Sequence, residues 1–230
     1  MKKVKTQIFL IHFAGGSCYS YRPITDYLSD LEITPLELPG RGNRLRELLV
    51  KDFDEAVLDL YTQIVNKIVS ENFIIYGHSM GAYLALKISH LLEINHFRPL
   101  KLFVSGNPGP GIIQKKRYLL EDEDFIKELK QLEGIPEDVY QNQELWDLYM
   151  PILRSDFEIS DKHDLTHYSK ISAPIFAMMG DVEEGVNRIT NWQDFTHSTF
   201  QYEIFKGGHF FINEHPKEIA SIIANKELKN

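Results

Sequence analysis

A chain of 230 residues, 43% of them hydrophobic, is long enough for one sizeable globular domain that buries roughly 70% of the surface its unfolded form exposes. The net charge of -8 argues against general nucleic-acid binding, and no apolar run approaches the ~18 residues needed to cross a bilayer. Cys18 is the single cysteine, so an internal disulfide is excluded; this fits a reducing, cytoplasmic setting and a small packing residue rather than a thiol nucleophile.

In chain order, Met1-Lys2-Lys3-Val4-Lys5 followed by Ile8-Phe9-Leu10-Ile11 superficially suggests a signal peptide, but the apolar run is short and His12 interrupts it. Gln7 to His12 reads instead as a first core strand, opening into Phe13-Ala14-Gly15-Gly16-Ser17, where the glycines allow close backbone approach. A helix is expected over Tyr21 to Leu28 with Pro23 in its first turn, then a strand over Ile33 to Leu38 closed by Pro39-Gly40-Arg41-Gly42-Asn43-Arg44. Ala56, Val57, Leu60, Ile64 and Ile68 give Asp54 to Val69 a helical period.

Next comes Phe73-Ile74-Ile75-Tyr76-Gly77-His78-Ser79-Met80-Gly81, an apolar strand that runs into Gly-x-Ser-x-Gly and straight into a helix with Ala82, Leu84, Ala85, Ile88, Leu91 and Leu92 on its apolar positions. Leu100 to Ser105 is a further strand, ended by a run of glycines and prolines. From about Leu119 to His167 the rhythm changes to helical segments without a strand (Glu123 to Gln131, Pro136 to Tyr140, Glu144 to Leu153), which reads as an inserted helical lid over the strand ends. Strands resume at Pro174 to Met179, ending Gly180-Asp181-Val182-Glu183, and at Phe200 to Phe205, ending Lys206-Gly207-Gly208-His209. The alternation predicts an α/β fold, a mostly parallel sheet with helices on both faces.

Strand, tight turn and helix around Ser79 have the form of a nucleophile elbow, in which the glycines make room for a serine held in a strained backbone region. The N-H of Met80, at the positive end of the following helix, is placed to form half of an oxyanion hole. The loop after an early strand supplies the other half in α/β-hydrolases, which points to the N-H of Ala14. A serine hydroxyl needs a base oriented by a carboxylate. The order serine, acid, histidine is that of an α/β-hydrolase: Ser79, then Asp181 or Glu183, then His209, which follows a Gly-Gly turn at the end of the last strand. The metal-ligand spacings of zinc enzymes are absent, so no cofactor is expected.

Taken together, Phe13-Ala14-Gly15-Gly16-Ser17, Leu38-Pro39-Gly40-Arg41-Gly42, Gly77-His78-Ser79-Met80-Gly81, Pro151-Ile152-Leu153-Arg154-Ser155-Asp156-Phe157 and Gly207-Gly208-His209-Phe210-Phe211 resemble the type II thioesterases that accompany nonribosomal peptide and polyketide synthases. The resemblance covers nearly the whole chain, lid included. It implies a serine hydrolase that removes acyl groups from the phosphopantetheine arm of acyl or peptidyl carrier proteins. There are two departures. Phe13 stands where the family usually has histidine, and the family's acid position, three residues after the glycine, holds Glu183; the resemblance therefore favours Glu183 over Asp181.

Further expectations are that Phe125, Leu129 and Leu153 face the active site from a mobile lid and that the protein is a monomer. Lys115, Lys116 and Arg117, the one clear basic cluster, are expected to meet an acidic carrier protein. The alternatives are a medium-chain fatty acyl thioesterase, a small-molecule serine esterase, and a non-catalytic binding protein on the same fold.

Overall fold

A computed structural model describes residues 5–113, 115–135, 137–162 and 169–225. Among these residues six strands, β1 (Gln7–Ile11), β2 (Glu32–Pro35), β3 (Phe73–His78), β4 (Lys101–Ser105), β5 (Ile175–Gly180) and β6 (Phe200–Phe205), form one sheet in the order β2-β1-β3-β4-β5-β6. Every neighbouring pair is parallel. Parallel strands need crossovers, and the crossovers cover both faces of the sheet.

The strand period of two divides the core accordingly. Phe9, Ile11, Phe73, Ile75, Leu102, Val104, Ile175 and Ala177 pack on one face with helices α2 (Phe53–Lys67) and α3 (Met80–Ile94). Ile8, Leu10, Ile74, Tyr76, Phe103, Phe176 and Met178 pack on the other. There they meet the short helix α1 (Arg22–Thr25) and the C-terminal helices α7 (Phe211–Glu214) and α8 (Pro216–Ala224). The side chain of Asp52 starts α2 by accepting hydrogen bonds from the amides of Asp54 and Glu55, the capping role for which aspartate is favoured.

Two expected elements are shorter than the sequence suggests. The helix foreseen over Tyr21 to Leu28 is regular only through Thr25, after which Tyr27 and Leu28 bond to carbonyls three residues back, the tighter 3₁₀ pattern. The strand foreseen to Leu38 stops at Pro35, although the amide of Leu36 still bonds to Leu10 O.

The lid consists of α4 (Asp122–Leu132), α5 (Glu137–Gln141) and α6 (Gln143–Lys162). Pro136 and the expected lid end at His167 lie outside the described residues. Helix α6 runs on to Lys162, well past its expected end at Leu153, because Leu153, Phe157 and Ile159 are buried. Burying such apolar side chains contributes about 1.5–3 kcal/mol each, which offsets the roughly 3 kcal/mol that an interior proline costs. Its C-terminal half packs on α2 and α3, so one helix belongs both to the lid and to the body. Residues Val186–Phe195 form consecutive 3₁₀ turns that bury Trp192, whose Nε1-H donates to Asn107 O.

Candidate active site

Strands β1 and β3 are adjacent, with Ile11 opposite Gly77, so the loop carrying Ala14 and the turn carrying Ser79 emerge side by side at the C-terminal edge of the sheet. This is where α/β sheets place their sites. Ser79 has φ 56 and ψ -119, a left-handed region unusual for a non-glycine residue. It occupies the N-cap position of α3 but makes no side-chain cap bond, which leaves its hydroxyl free. The flanking glycines are required by proximity, because a Cβ on Gly77 would collide with the Gly81 carbonyl and one on Gly81 with the carbonyl of Ile11. The turn is braced by Ser79 N-H donating to Ser105 O at 2.7 Å and by Asn107 Nδ2 donating to Ser79 O at 2.9 Å.

His209 reaches Ser79 from the loop after β6. Its Nε2 is 3.0 Å from Ser79 Oγ, and its Nδ1 is 2.7 Å from Glu183 Oε2. A carboxylate can only accept, so Nδ1 carries the proton and Nε2 presents its lone pair to the serine hydroxyl. The other Glu183 oxygen accepts the amide of Gly180 at 2.7 Å, which fixes the carboxylate. Glu183 is 5% exposed and His209 14%. Asp181, the alternative acid, is exposed and accepts the Gly207 amide at 2.9 Å; it braces the histidine loop without meeting the imidazole. Gly180 must be glycine for the same loop to pass, because a Cβ there would strike the backbone of Gly207 and Gly208.

Beneath His209 lies the buried ring of His78, 4.9 Å away between centroids, with its Nδ1 2.8 Å from Ser105 Oγ. Burial, with the charge of His209 as a second cause, holds His78 well below the usual histidine range. It is therefore a neutral packing surface. Phe13, the departure in the β1 loop, stacks edge-on against Tyr21, His78 and Phe210, a role that needs no polar side chain.

Met80 is the first residue of α3, where amides have no intrahelical acceptor. Ala14 N-H also donates no hydrogen bond among the described residues. The next residue, Gly15, has φ 76 and donates its amide to Asp156 Oδ2 at 2.7 Å, a contact from the lid between residues far apart in sequence.

Ser79 and His209 open into a cavity of about 950 Å³ between the sheet and the lid, with Tyr83, Asn107, Leu132 and Val182 in its wall. The lid residues expected there are elsewhere. Phe125, Leu129 and Leu153 pack with Phe157 in a small core inside the lid. Phe125 and Leu129 lie one turn apart on α4, on the buried face that joins this core, and the cavity wall is left to Glu128, Gln131 and Leu132. This core also touches the β1 loop, where Ala14 packs against it and Leu153 covers Gly15.

The basic cluster also differs from expectation. Lys115, Lys116 and Arg117 do border the cavity. However, Lys115 pairs with Glu184 at 2.8 Å, and Arg117 is held by Asp161 while lying over the Phe157 ring at 4.5 Å. Of the three, Lys116 is exposed and has no ion-pair partner among the described residues. Two of the three charges are thus spent within the molecule, on carboxylates that lie far away in sequence. Among the described residues no group of three or more His, Cys, Asp or Glu is arranged to hold a metal ion, and no helix is long and apolar enough to cross a membrane.

Comparison with known proteins bears on this geometry. Gramicidin S biosynthesis protein GrsT of Aneurinibacillus migulanus is 29% identical over 98% of this chain and 90% of its own length. Two solved structures are similar: ClbQ from the colibactin NRPS/PKS pathway, with TM-score 0.86 and 28% identity over 96% of this chain and 95% of that one, and BorB, a type II thioesterase from the borrelidin biosynthetic cluster, with TM-score 0.84 and 27% identity over 96% and 90%. The family profile described as the thioesterase domain matches residues 6–226, from the first strand through the last helix and across the lid, and the chain belongs to that thioesterase family.

Proposed function

We propose that the protein is a serine thioesterase that frees the phosphopantetheine arms of carrier proteins from wrong or stalled acyl groups, in the service of a nonribosomal peptide or polyketide synthase. The observation that carries the reading is the Ser79-His209-Glu183 relay at the floor of a lidded cavity, in a chain whose relatives include proteins of nonribosomal peptide and polyketide pathways. The proposed setting is the cytoplasm and the proposed form a monomer.

In this mechanism His209 Nε2 takes the proton of Ser79 as Oγ attacks the thioester carbonyl, while Glu183 stabilises the imidazolium that forms. The Met80 and Ala14 amides receive the negative charge on the carbonyl oxygen. The tetrahedral intermediate collapses with loss of the pantetheine thiol, protonated by His209, and an acyl-serine remains. Water, deprotonated by the same imidazole, repeats the attack and releases the acid.

The cavity wall supports a preference for small or polar acyl groups, since the lid side of it includes Glu128, Gln131 and Leu132, with Lys115 at its border, and Phe125, Leu129 and Leu153 stay out of it. The test is hydrolysis of a series of acyl-pantetheine thioesters and of an acylated carrier protein. Short acyl chains should turn over faster than long ones, and Ser79→Ala should lose on the order of 10⁴-fold or more in kcat while staying folded. Turnover of oxygen esters in preference to every thioester would reject the reading.

A further inference from the structure

Two of the stretches that set this chain apart, Leu38-Pro39-Gly40-Arg41-Gly42 and Leu153-Arg154-Ser155-Asp156-Phe157, supply no member of the serine-histidine-glutamate relay. They meet each other. Arg41, 3% exposed, holds Asp156, 0% exposed, through two parallel bonds, Nη1 to Oδ2 at 2.5 Å and Nη2 to Oδ1 at 2.7 Å. Asp156 Oδ2 also accepts the Gly15 amide at 2.7 Å, and Arg41 Nη1 lies 3.4 Å from Gly16 O. One turn earlier on α6, Leu153 covers Gly15 so closely that a Cβ there would come within 2.7 Å of Leu153 Cδ2. Lid helix, β2 loop and β1 loop are thus tied at one buried point, and the tied residue is the immediate neighbour of Ala14.

A buried ion pair is a poor source of stability, because desolvating both charges cancels most of their attraction and apolar substitutes of similar volume often hold a fold as well or better. What such a pair does supply is direction: a bidentate guanidinium fixes the carboxylate in plane, and the carboxylate fixes the amide it accepts. The amide it accepts here belongs to the loop whose preceding N-H must point at the reacting oxygen. The backbone at Gly15 is left-handed, with φ 76, so the orientation of this segment is not the default of an extended chain and has to be imposed.

We propose that Arg41 and Asp156 are positioning residues for the oxyanion hole: by anchoring Gly15 they set the direction of the Ala14 N-H, so that the hole is complete only when lid helix α6 is seated. The inference rests on the proposed role of Ser79 and Ala14 in acyl transfer. It makes the lid part of the catalytic geometry as well as a wall of the pocket. Any partner or substrate that shifts α6 would then change the rate of acylation as well as access.

The test compares wild type with Asp156→Asn and with the double variant Arg41→Met/Asp156→Leu, which removes the pair without stranding a buried charge. Three readouts are used: kcat and KM on a short acyl-pantetheine thioester, the rate at which a fluorophosphonate labels Ser79, and hydrogen exchange at the Gly15 amide. A misdirected oxyanion donor should lower both kcat and the labelling rate by about 10²-fold. KM should move by less than about threefold, and the pH profile should keep its shape because the relay is intact. Gly15 N-H should be protected in wild type and exchange faster in the variants. A folded double variant with wild-type kcat and labelling rate would overturn the proposal. So would a wild-type Gly15 amide that exchanges as fast as exposed loop amides, a result that needs no variant to fold. If wild type is labelled at Ser79 but cleaves no thioester, the substrate reading fails while the labelling ratio still decides the clamp.

Discussion

The elbow and the lid sit on opposite sides of one cavity and are held by different physics. Around Ser79 the backbone itself is the constraint: Gly77, Gly81 and Gly180 are required by carbonyls of neighbouring segments, and the strained serine is bonded at both its amide and its carbonyl. The lid has a core of its own, with Phe125 and Phe157 edge-on at 5.3 Å and Leu129 and Leu153 beside them. It is joined to the body mainly through α6 and a few polar anchors, Arg41 with Asp156 and Ser155 Oγ donating to Val50 O. A rigid floor fixes the relay to within a hydrogen bond, whereas most of the lid's apolar contacts are internal to it. Regions with few contacts to the body open at lower free energy than the core.

The largest effect that would sharpen this contrast is on the floor. Glu183→Gln leaves the shape of the site intact but no longer favours the tautomer that presents Nε2 as base. kcat should fall by about 10²- to 10⁴-fold with little change in melting temperature. Asp181→Asn, which touches a loop amide and not the imidazole, should cost less than about tenfold. The opposite ranking, measured on one thioester, would place the acid at Asp181.

This pair of residues also shows how far the sequence could be read. Ser79, His209 and the parallel sheet were legible because their signals are local: a five-residue motif, a Gly-Gly-His strand end, strands as short apolar runs. That Glu183 rather than Asp181 would bond to His209 was suggested only by a family resemblance, since residues two apart on one loop do not declare which turns back toward the histidine. The lid was legible as helices but not as packing. The sequence suggests an end to α6 at Leu153, and only contacts with α2 and α3 explain why the helix continues. Phe125 and Leu129 announced an apolar face without saying what would cover it. Arg41 and Asp156 are 115 positions apart, so their pairing had no local signature at all.

A change inside the lid should break the comparison at its other end. Phe125→Ala opens a cavity in the small lid core, where truncating a buried phenylalanine costs about 3–5 kcal/mol. Limited proteolysis should then cut the lid faster while hydrogen exchange in β1, β3 and β4 stays as in wild type. Uniform loosening of sheet and lid would show that the two are one cooperative unit.

The smallest expected effect lies at the rim. Lys116→Glu should raise KM for an acylated carrier protein by a few fold at low salt, and less at high salt where surface attraction is screened. A small pantetheine thioester should be unaffected. Arg117→Glu, by contrast, breaks the pairing with Asp161 and the contact with Phe157, and should weaken turnover of both substrates alike. Equal effects of the two reversals would place docking elsewhere.

The central claim, that the Ser79 hydroxyl becomes acylated by a thioester with His209 as its base, is tested most directly by rapid quenching of the enzyme with a short acyl-pantetheine, followed by peptide mass spectrometry. The expected result is an adduct of the acyl mass on the peptide that contains Ser79, forming faster than product accumulates, absent in Ser79→Ala and strongly slowed in His209→Ala. Undiminished thioester turnover by folded Ser79→Ala protein, or an acyl adduct on any other residue that forms and decays at the rate of turnover, would contradict it.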